Sequence, residues 1–267
     1  MTLPSQVPDR PLQLLIGLPA YGSTLWTETF HTLVANMLNL REAFPGINIK
    51  TSVIDFAEID WARNLFATML LDGNYDYLIM VDSDMAFPPH VMQRLIKSGH
   101  DVCGLIYPKR QIDLERFHRE AASGADYGTA MTRSLEFVSA KNVVLEGRKF
   151  EVTNGFAQFS AIPGGCLCIK RDVVVRMWDE IPSIRLGEYT GPKVSDHEFK
   201  RVARVFDKMV DEATGRRFSE DYSFCLRWGG LGGMVHALLD VPVTHWGRQK
   251  YQGNAIDLFK DRSVRPK

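Results

Sequence analysis

Residues Tyr75 to Pro89 read YDYLIMVDSDMAFPP, in which an apolar run from Tyr77 to Val81 drives into two carboxylates, Asp82 and Asp84, with one serine between them. A short apolar run bounded by turn residues is the pattern of a strand buried on both faces, as in a parallel sheet. In an extended segment residues i and i+2 point to the same side, so Asp82 and Asp84 are expected to face one point at the carboxyl end of that strand. Open α/β sheets bind their ligands at that edge. Two carboxylates so close need a cation or several donors to remain ionised, and Mn²⁺ or Mg²⁺ is the natural compensator. The same Asp-Ser-Asp also reads as turn and helix-cap chemistry, with Pro88 or Pro89 opening the helix that follows.

Outward from this stretch the chain alternates strand and helix. Leu12 to Gly22 (LQLLIGLPAYG) reads as a strand and its ligand-side loop, Thr24 to Phe44 as a helix stopped by Pro45-Gly46, and INIKTSVIDF as a second strand ending at Asp55. IDWARNLFATMLLDGN reads as a helix closed by Gly73, PPHVMQRLIKSG as another, and DVCGLIYP as a fourth strand. This order predicts an α/β fold with a mostly parallel sheet flanked by helices. Between Arg110 and Pro163 the pattern weakens, and hairpins or loops over the sheet edge are expected. A Gly-Gly turn, a strand and a helix follow in SAIPGGCLCIKRDVVVRMWDEI, then helical spacing over 195–215, a helix in FSEDYSFCLRWGGLGG, and one last strand in MVHALLDVPVTHWG. GGLGG follows a helix and precedes a strand, the reverse of the arrangement that cradles a pyrophosphate, so it reads as a helix stop.

The 267 residues carry 32 Lys plus Arg against 32 Asp plus Glu, so no global charge bias favours nucleic acid or an acidic membrane. The amino terminus lacks a secretory pattern, and no apolar run approaches the roughly 20 residues of a spanning helix. A cytoplasmic protein without an integral membrane segment is expected. Cys103, Cys166, Cys168 and Cys225 lack zinc-ligand spacing and read as buried free thiols. The expected organisation is a flexible terminus over 1–11, one domain over 12–247, and a tail or lid over 248–267.

Taken in order, IDWARN, Asp82-Ser83-Asp84, PGGCLCIKRD, SEDYSF and THWG resemble the A-fold (GT-A) glycosyltransferases, in particular the single-domain group related to family 2 nucleotide-diphospho-sugar transferases. The resemblance spans about Leu14 to Gly247 and rests on short motifs. It implies a loop around the nucleotide at Pro19, Ala20, Tyr21 and Gly22, and a base or ribose contact at Asp55. It also places Arg63 and Asn64 near the donor. Asp82 and Asp84 match the DxD motif, with Ser83 between them, and His245 matches the late histidine that completes coordination of Mn²⁺ or Mg²⁺. Glu220 and Asp221 match the acidic pair facing the acceptor, with Asp221 the base of an inverting reaction.

The chemistry is coherent without the family. A metal held by carboxylates neutralises a leaving nucleoside diphosphate, of UDP or GDP type, and a carboxylate base takes the acceptor proton. Each residue also has a plainer reading. Ser219-Glu220-Asp221 is an ordinary helix start, His245 a paired histidine at a strand end, Lys109-Arg110 either a phosphate clamp or a solvated pair, and Gly164-Gly165 either an approach to the sugar or a tight turn. A saccharide leads as acceptor, with a hydroxyl-bearing modified DNA base behind it. A sugar nucleotidyltransferase and a non-catalytic nucleotide- or nucleic-acid-binding protein are the competing expectations, the last drawing on the basic residues of the tail.

Overall fold

The computed structural model describes residues 10–138, 150–191, 193–194, 197–247 and 250–258. The first nine residues of the expected flexible terminus, KNVVLEG, and most of the basic tail lie outside the described residues.

The strands are β1 (Gln13–Pro19), β2 (Asn48–Ile54), β3 (Tyr77–Val81), β4 (Met85–Ala86), β5 (Val102–Leu105), β6 (Pro108–Ile112), β7 (Leu135–Phe137), β8 (Phe156–Phe159), β9 (Cys166–Lys170), β10 (Arg185–Leu186), β11 (Val202–Ala203), β12 (Val235–Leu238), β13 (Pro242–Trp246) and β14 (Lys250–Asn254). The helices are α1 (Thr27–Ala43), α2 (Ile59–Asp72), α3 (Val91–Lys97), α4 (Leu114–Ala122), α5 (Tyr127–Ser134), α6 (Arg171–Glu180) and α7 (Glu220–Gly230).

Seven strands form the central sheet in the order β2-β1-β3-β9-β5-β12-β8. The pairings set β1, β2, β3, β5 and β12 in one direction and β8 and β9 in the other, so the sheet is mostly parallel, as expected. Its apolar runs divide by the two-residue period of a strand. Leu15, Leu78, Met80, Leu167 and Ile169 face one core with α2, α6 and α7, while Leu14, Ile16, Ile79, Val81, Cys166 and Cys168 face the other with α1 and α3. Each fully buried aliphatic side chain contributes roughly 1.5–3 kcal/mol relative to exposure. The four cysteines are buried and free.

Three expectations change. The helix expected over 195–215 is absent from its described residues, where β11 pairs with β10 and the rest is turns and irregular chain. Phe199, Val202, Ala203, Val205 and Phe206 are buried there, while Val210 is exposed, so the apolar spacing is met by irregular chain packed on the core. Polar groups of α2 take their backbone donors instead: the Ala203 amide donates to Thr68 Oγ1 at 2.9 Å and the Phe206 amide to Asn64 Oδ1 at 2.7 Å.

The expected last strand is two. Asp240, paired with Arg94 at 2.8 Å, lies just past the end of β12, and Pro242, which has no amide hydrogen, begins β13 in a separate three-stranded sheet of order β14-β13-β4. Residues 250–258 of the expected tail supply β14 and a short 3-10 turn, with Ala255 buried.

The weak stretch from 110 holds helices α4 and α5 between the paired strands β6 and β7. Each helix starts at an aspartate cap: Asp113 accepts from the Arg116 amide at 2.9 Å and Asp126 from the Thr129 amide at 3.1 Å.

Asn64 Nδ2 also donates to Asp207 Oδ1 at 2.7 Å, so Asn64→Leu strands a buried amide and a carboxylate together. The expected cost is about 1–3 kcal/mol, read as a lower denaturant midpoint. An unchanged midpoint would show that this segment is held by packing alone.

Candidate active site

The apolar strand β3 ends at Val81, and Asp82-Ser83-Asp84 forms a turn rather than more strand, with the Met85 amide donating to Asp82 O at 3.2 Å. The turn is tied on three sides. Asp82 N donates to Gly165 O at 2.9 Å, Trp26 N donates to Ser83 O at 3.0 Å, and Trp246 N donates to Asp84 O at 2.8 Å. The extended strand expected through both carboxylates thus ends at Val81, and in the turn that follows Asp82 and Asp84 bond to different partners.

Asp82 meets Arg63. The Arg63 Nη2 donates to both Asp82 oxygens, at 2.9 and 3.1 Å, while its Nη1 donates to Glu220 Oε1 at 2.9 Å. The Arg63 side chain is only 3 % exposed. Burial alone would push its pKa down, but the charges of Asp82, Glu220 and Asp221 outweigh that and the net shift is up. Gly164 lies against this guanidinium, and a Cβ there would collide with Nη1. Gly164 is thus a contact requirement for burying Arg63, beyond a tight turn.

Asp221 Oδ2 accepts from the Gly164 amide at 3.1 Å, and its Oδ1 accepts from the Tyr222 amide at 2.8 Å and from the Ser219 hydroxyl. Ser219 stands at the amino end of α7 but spends its hydroxyl on Asp221 rather than on capping a backbone amide. Glu220 is pushed above the ordinary carboxylate value, first by burial, against the opposing pull of Arg63.

Asp84 meets Arg110 and His245. The pairing of β13 with β4 sets His245 opposite Met85, which brings the imidazole beside Asp84. His245 Nδ1 lies 2.9 Å from Pro108 O. A carbonyl only accepts, so Nδ1 carries the hydrogen. Burial holds the imidazole below its ordinary pKa despite that bond, so the ring is neutral near pH 7 and Nε2 presents a lone pair. That lone pair faces Asp84 Oδ2 at 3.5 Å. The same Asp84 Oδ2 accepts from Arg110, so this oxygen stands between a guanidinium and an imidazole lone pair.

The donor set fits a divalent ion of the Mn²⁺ or Mg²⁺ kind, which takes carboxylate oxygen with imidazole nitrogen and completes its shell with phosphate and water oxygens. Among the described residues no group of three or more His, Cys, Asp and Glu is placed to hold a metal. Asp84 and His245 would hold the ion here, while Asp82 is engaged by Arg63.

The loop after β1 lies at the same end of the sheet. Ala20 is buried with its amide on Ile54 O, and Tyr21 is 71 % exposed. Asp55 fastens this loop, accepting from Gly22 N at 2.8 Å and Ser23 Oγ at 2.6 Å. Lys109 pairs with Glu136 at 2.9 Å instead of joining Arg110. Two aromatic features lay outside the sequence reading. Tyr107 is buried against Gly165, edge-on to His245 with centroids 5.0 Å apart, and burial followed by the charges of Asp82 and Asp221 pushes its phenol up. Trp26 and Trp246 stack with centroids 5.6 Å apart, their backbones bonded to either side of the turn. Aromatic residues beside the motif ends Tyr107-Pro108 and His245-Trp246 were the signal for both.

Arg63→Met leaves Asp82, Glu220 and Asp221 around a buried gap, and a cost of about 3–5 kcal/mol is expected. Losing Arg63 removes the largest influence that lowers Glu220, so that carboxyl moves further up. A raised carboxyl favours the fold below its unfolded value, and this contribution is lost as pH rises through the folded value. The deficit of Arg63→Met is therefore larger at about pH 8 than at about pH 5, read from denaturation midpoints. A deficit independent of pH would show that lost packing, not lost charge, sets the cost.

No family model matches the chain, and no curated protein does. Among solved structures it is similar to A197 from STIV, at 13 % identity and a TM-score of 0.46, covering 91 % of this chain and 94 % of that one. It is also similar to the inositol-1-phosphate CTP transferase from T. maritima, at 8 % identity and 0.39, with 88 % and 89 % covered. A UDP-glucose pyrophosphorylase complexed with UDP-glucose follows at 10 % identity and 0.38, with 86 % and 90 % covered. These scores are low, and none bears on what this chain does.

Proposed function

We propose that this chain is a divalent-metal-dependent glycosyltransferase that moves a sugar from a nucleoside diphosphate donor, of UDP or GDP type, to an acceptor hydroxyl. The observation that carries the reading is the single turn that serves two groups of residues. On one side Asp84 Oδ2 and His245 Nε2 lie 3.5 Å apart, and on the other Asp82 is joined through Arg63 to Glu220, beside Asp221. A metal bound at Asp84 and His245 would neutralise the charge that accumulates on a departing diphosphate.

The remaining work falls to the chain. Asp55 holds the loop of Pro19, Ala20 and Tyr21 in place beside the nucleotide, and Tyr21 presents an exposed ring to it. Arg63 fixes Asp82 and Glu220 relative to each other. The base belongs to the acidic pair, and Glu220 is favoured over Asp221. Asp221 already accepts three hydrogen bonds from Gly164, Ser219 and Tyr222. Glu220 has a raised carboxyl nearer the working range of a base. A base opposite the leaving group gives inversion at the sugar carbon.

The loop after β1 supports this reading over nucleotidyl transfer. A triphosphate cradle needs free backbone amides, whereas the amides of Ala20, Gly22 and Ser23 are committed to Ile54 O, Asp55 and Ala20 O.

Calorimetry with UDP, GDP, CDP and dTDP, each with and without Mn²⁺, is expected to show metal-dependent binding of one nucleotide, lost in Asp84→Ala. Binding that Asp84→Ala leaves intact would remove the metal assignment, and pyrophosphate release from a nucleoside triphosphate plus sugar phosphate would favour nucleotidyl transfer. With a donor in hand, Glu220→Gln is expected to lower kcat about 10²–10⁴-fold while donor binding stays. The same loss in Asp221→Asn alone would return the base to Asp221.

A further inference from the structure

Arg110 stands at the same carboxylate as the candidate metal site but answers to neither of the roles assigned above. Its Nη2 is bonded to Asp84 Oδ2, and that is the very oxygen that faces His245 Nε2 at 3.5 Å. A guanidinium and a metal ion held between Asp84 and His245 therefore compete for one oxygen, and a doubly charged ion beside a guanidinium repels it.

The neighbouring cations are placed differently. Arg63 is buried with 3 % of its side chain exposed, and Lys109 is bonded to Glu136. Arg110 is 47 % exposed on β6, so its head can leave Asp84 without opening the core. Its stem has a reserved place as well. A Cβ on Gly247 would come within 2.8 Å of Arg110 Cδ and 3.3 Å of its Cγ, so the absence of a side chain after His245-Trp246 leaves room for this stem. The planar fork of a guanidinium matches a phosphate as well as it matches a carboxylate.

We propose that Arg110 is an exchangeable counter-ion, closed on Asp84 when the divalent ion is absent and turned onto the donor's diphosphate when the ion is bound. The inference rests on the transferase reading and adds to it a residue that contacts the leaving group. It has a signature of two opposite signs. Arg110 weakens metal binding to the empty protein, because the ion must displace it, and strengthens nucleotide binding to the metal-loaded protein, because the displaced fork then meets a phosphate.

The test compares wild type with Arg110→Met, which keeps the stem and removes the charge, and Arg110→Lys, which keeps the charge and removes the fork. Mn²⁺ binding without nucleotide is followed by water-proton relaxation, and binding of UDP and GDP at saturating Mn²⁺ by calorimetry. Arg110→Met is expected to bind Mn²⁺ about three- to tenfold more tightly and the preferred nucleotide about three- to tenfold more weakly, the scale of one partly exposed charged hydrogen bond. Arg110→Lys falls between on both axes. Shifts of the same sign in Arg110→Met, or no shift on either axis with its melting temperature unchanged, overturn the exchange. Wild-type protein that binds neither Mn²⁺ nor any of the nucleotides sinks the transferase reading itself, a result distinct from failure of the exchange alone.

Discussion

A buried guanidinium between carboxylates is the contact on which the candidate site depends. Taking Arg63 out of water is costly, and that cost is offset only because Asp82 and Glu220 meet its two terminal nitrogens at hydrogen-bond distance. The arrangement constrains its surroundings from several directions. α2 must sit close enough to deliver Arg63, residue 164 must lack a side chain, and α7 must start where Glu220 reaches inward. The turn at Asp82 is held in turn by Gly165 O. Removing any one of these leaves charge without a partner, so Asp82 and Glu220 are fixed through Arg63 as one unit.

The second half of the site depends on topology instead of charge. His245 is distant in sequence from Asp84, and the antiparallel pairing of β13 with β4 brings them together. That pairing exists because Asp240 and Pro242 break the chain out of the central sheet after β12. A continuous strand through this stretch, as the hydrophobic pattern alone suggests, would carry the histidine along the sheet and away from the turn.

Much of this was legible from residues. Strands with apolar runs and stops at Pro45-Gly46 and Gly73 announced a mostly parallel α/β sheet, because those signals are local. What failed to show was set by distant partners. Helical spacing over 195–215 was real as a pattern, but Asn64 and Thr68 of α2 claim its amides, and nothing within that window reveals it. The aspartate caps Asp113 and Asp126 were local and readable, and Leu114, Phe117 and Ala121 stand at helical spacing after the first, so these helices were missed although their signals are local. The separation of Asp82 from Asp84 turned on three backbone hydrogen bonds to other segments, which composition and spacing do not encode.

The position of β9 also governs how the chain can be made. It lies antiparallel between β3 and β5, although it follows β5 in sequence by some sixty residues. Until Cys166–Lys170 has left the ribosome, β2-β1-β3 and β5 have no strand to join them, and the facing edges of β3 and β5 carry unpaired backbone groups. The amino-terminal half thus emerges as a sheet with a missing middle, a nascent state that exposes strand edges and depends on the later half to close it.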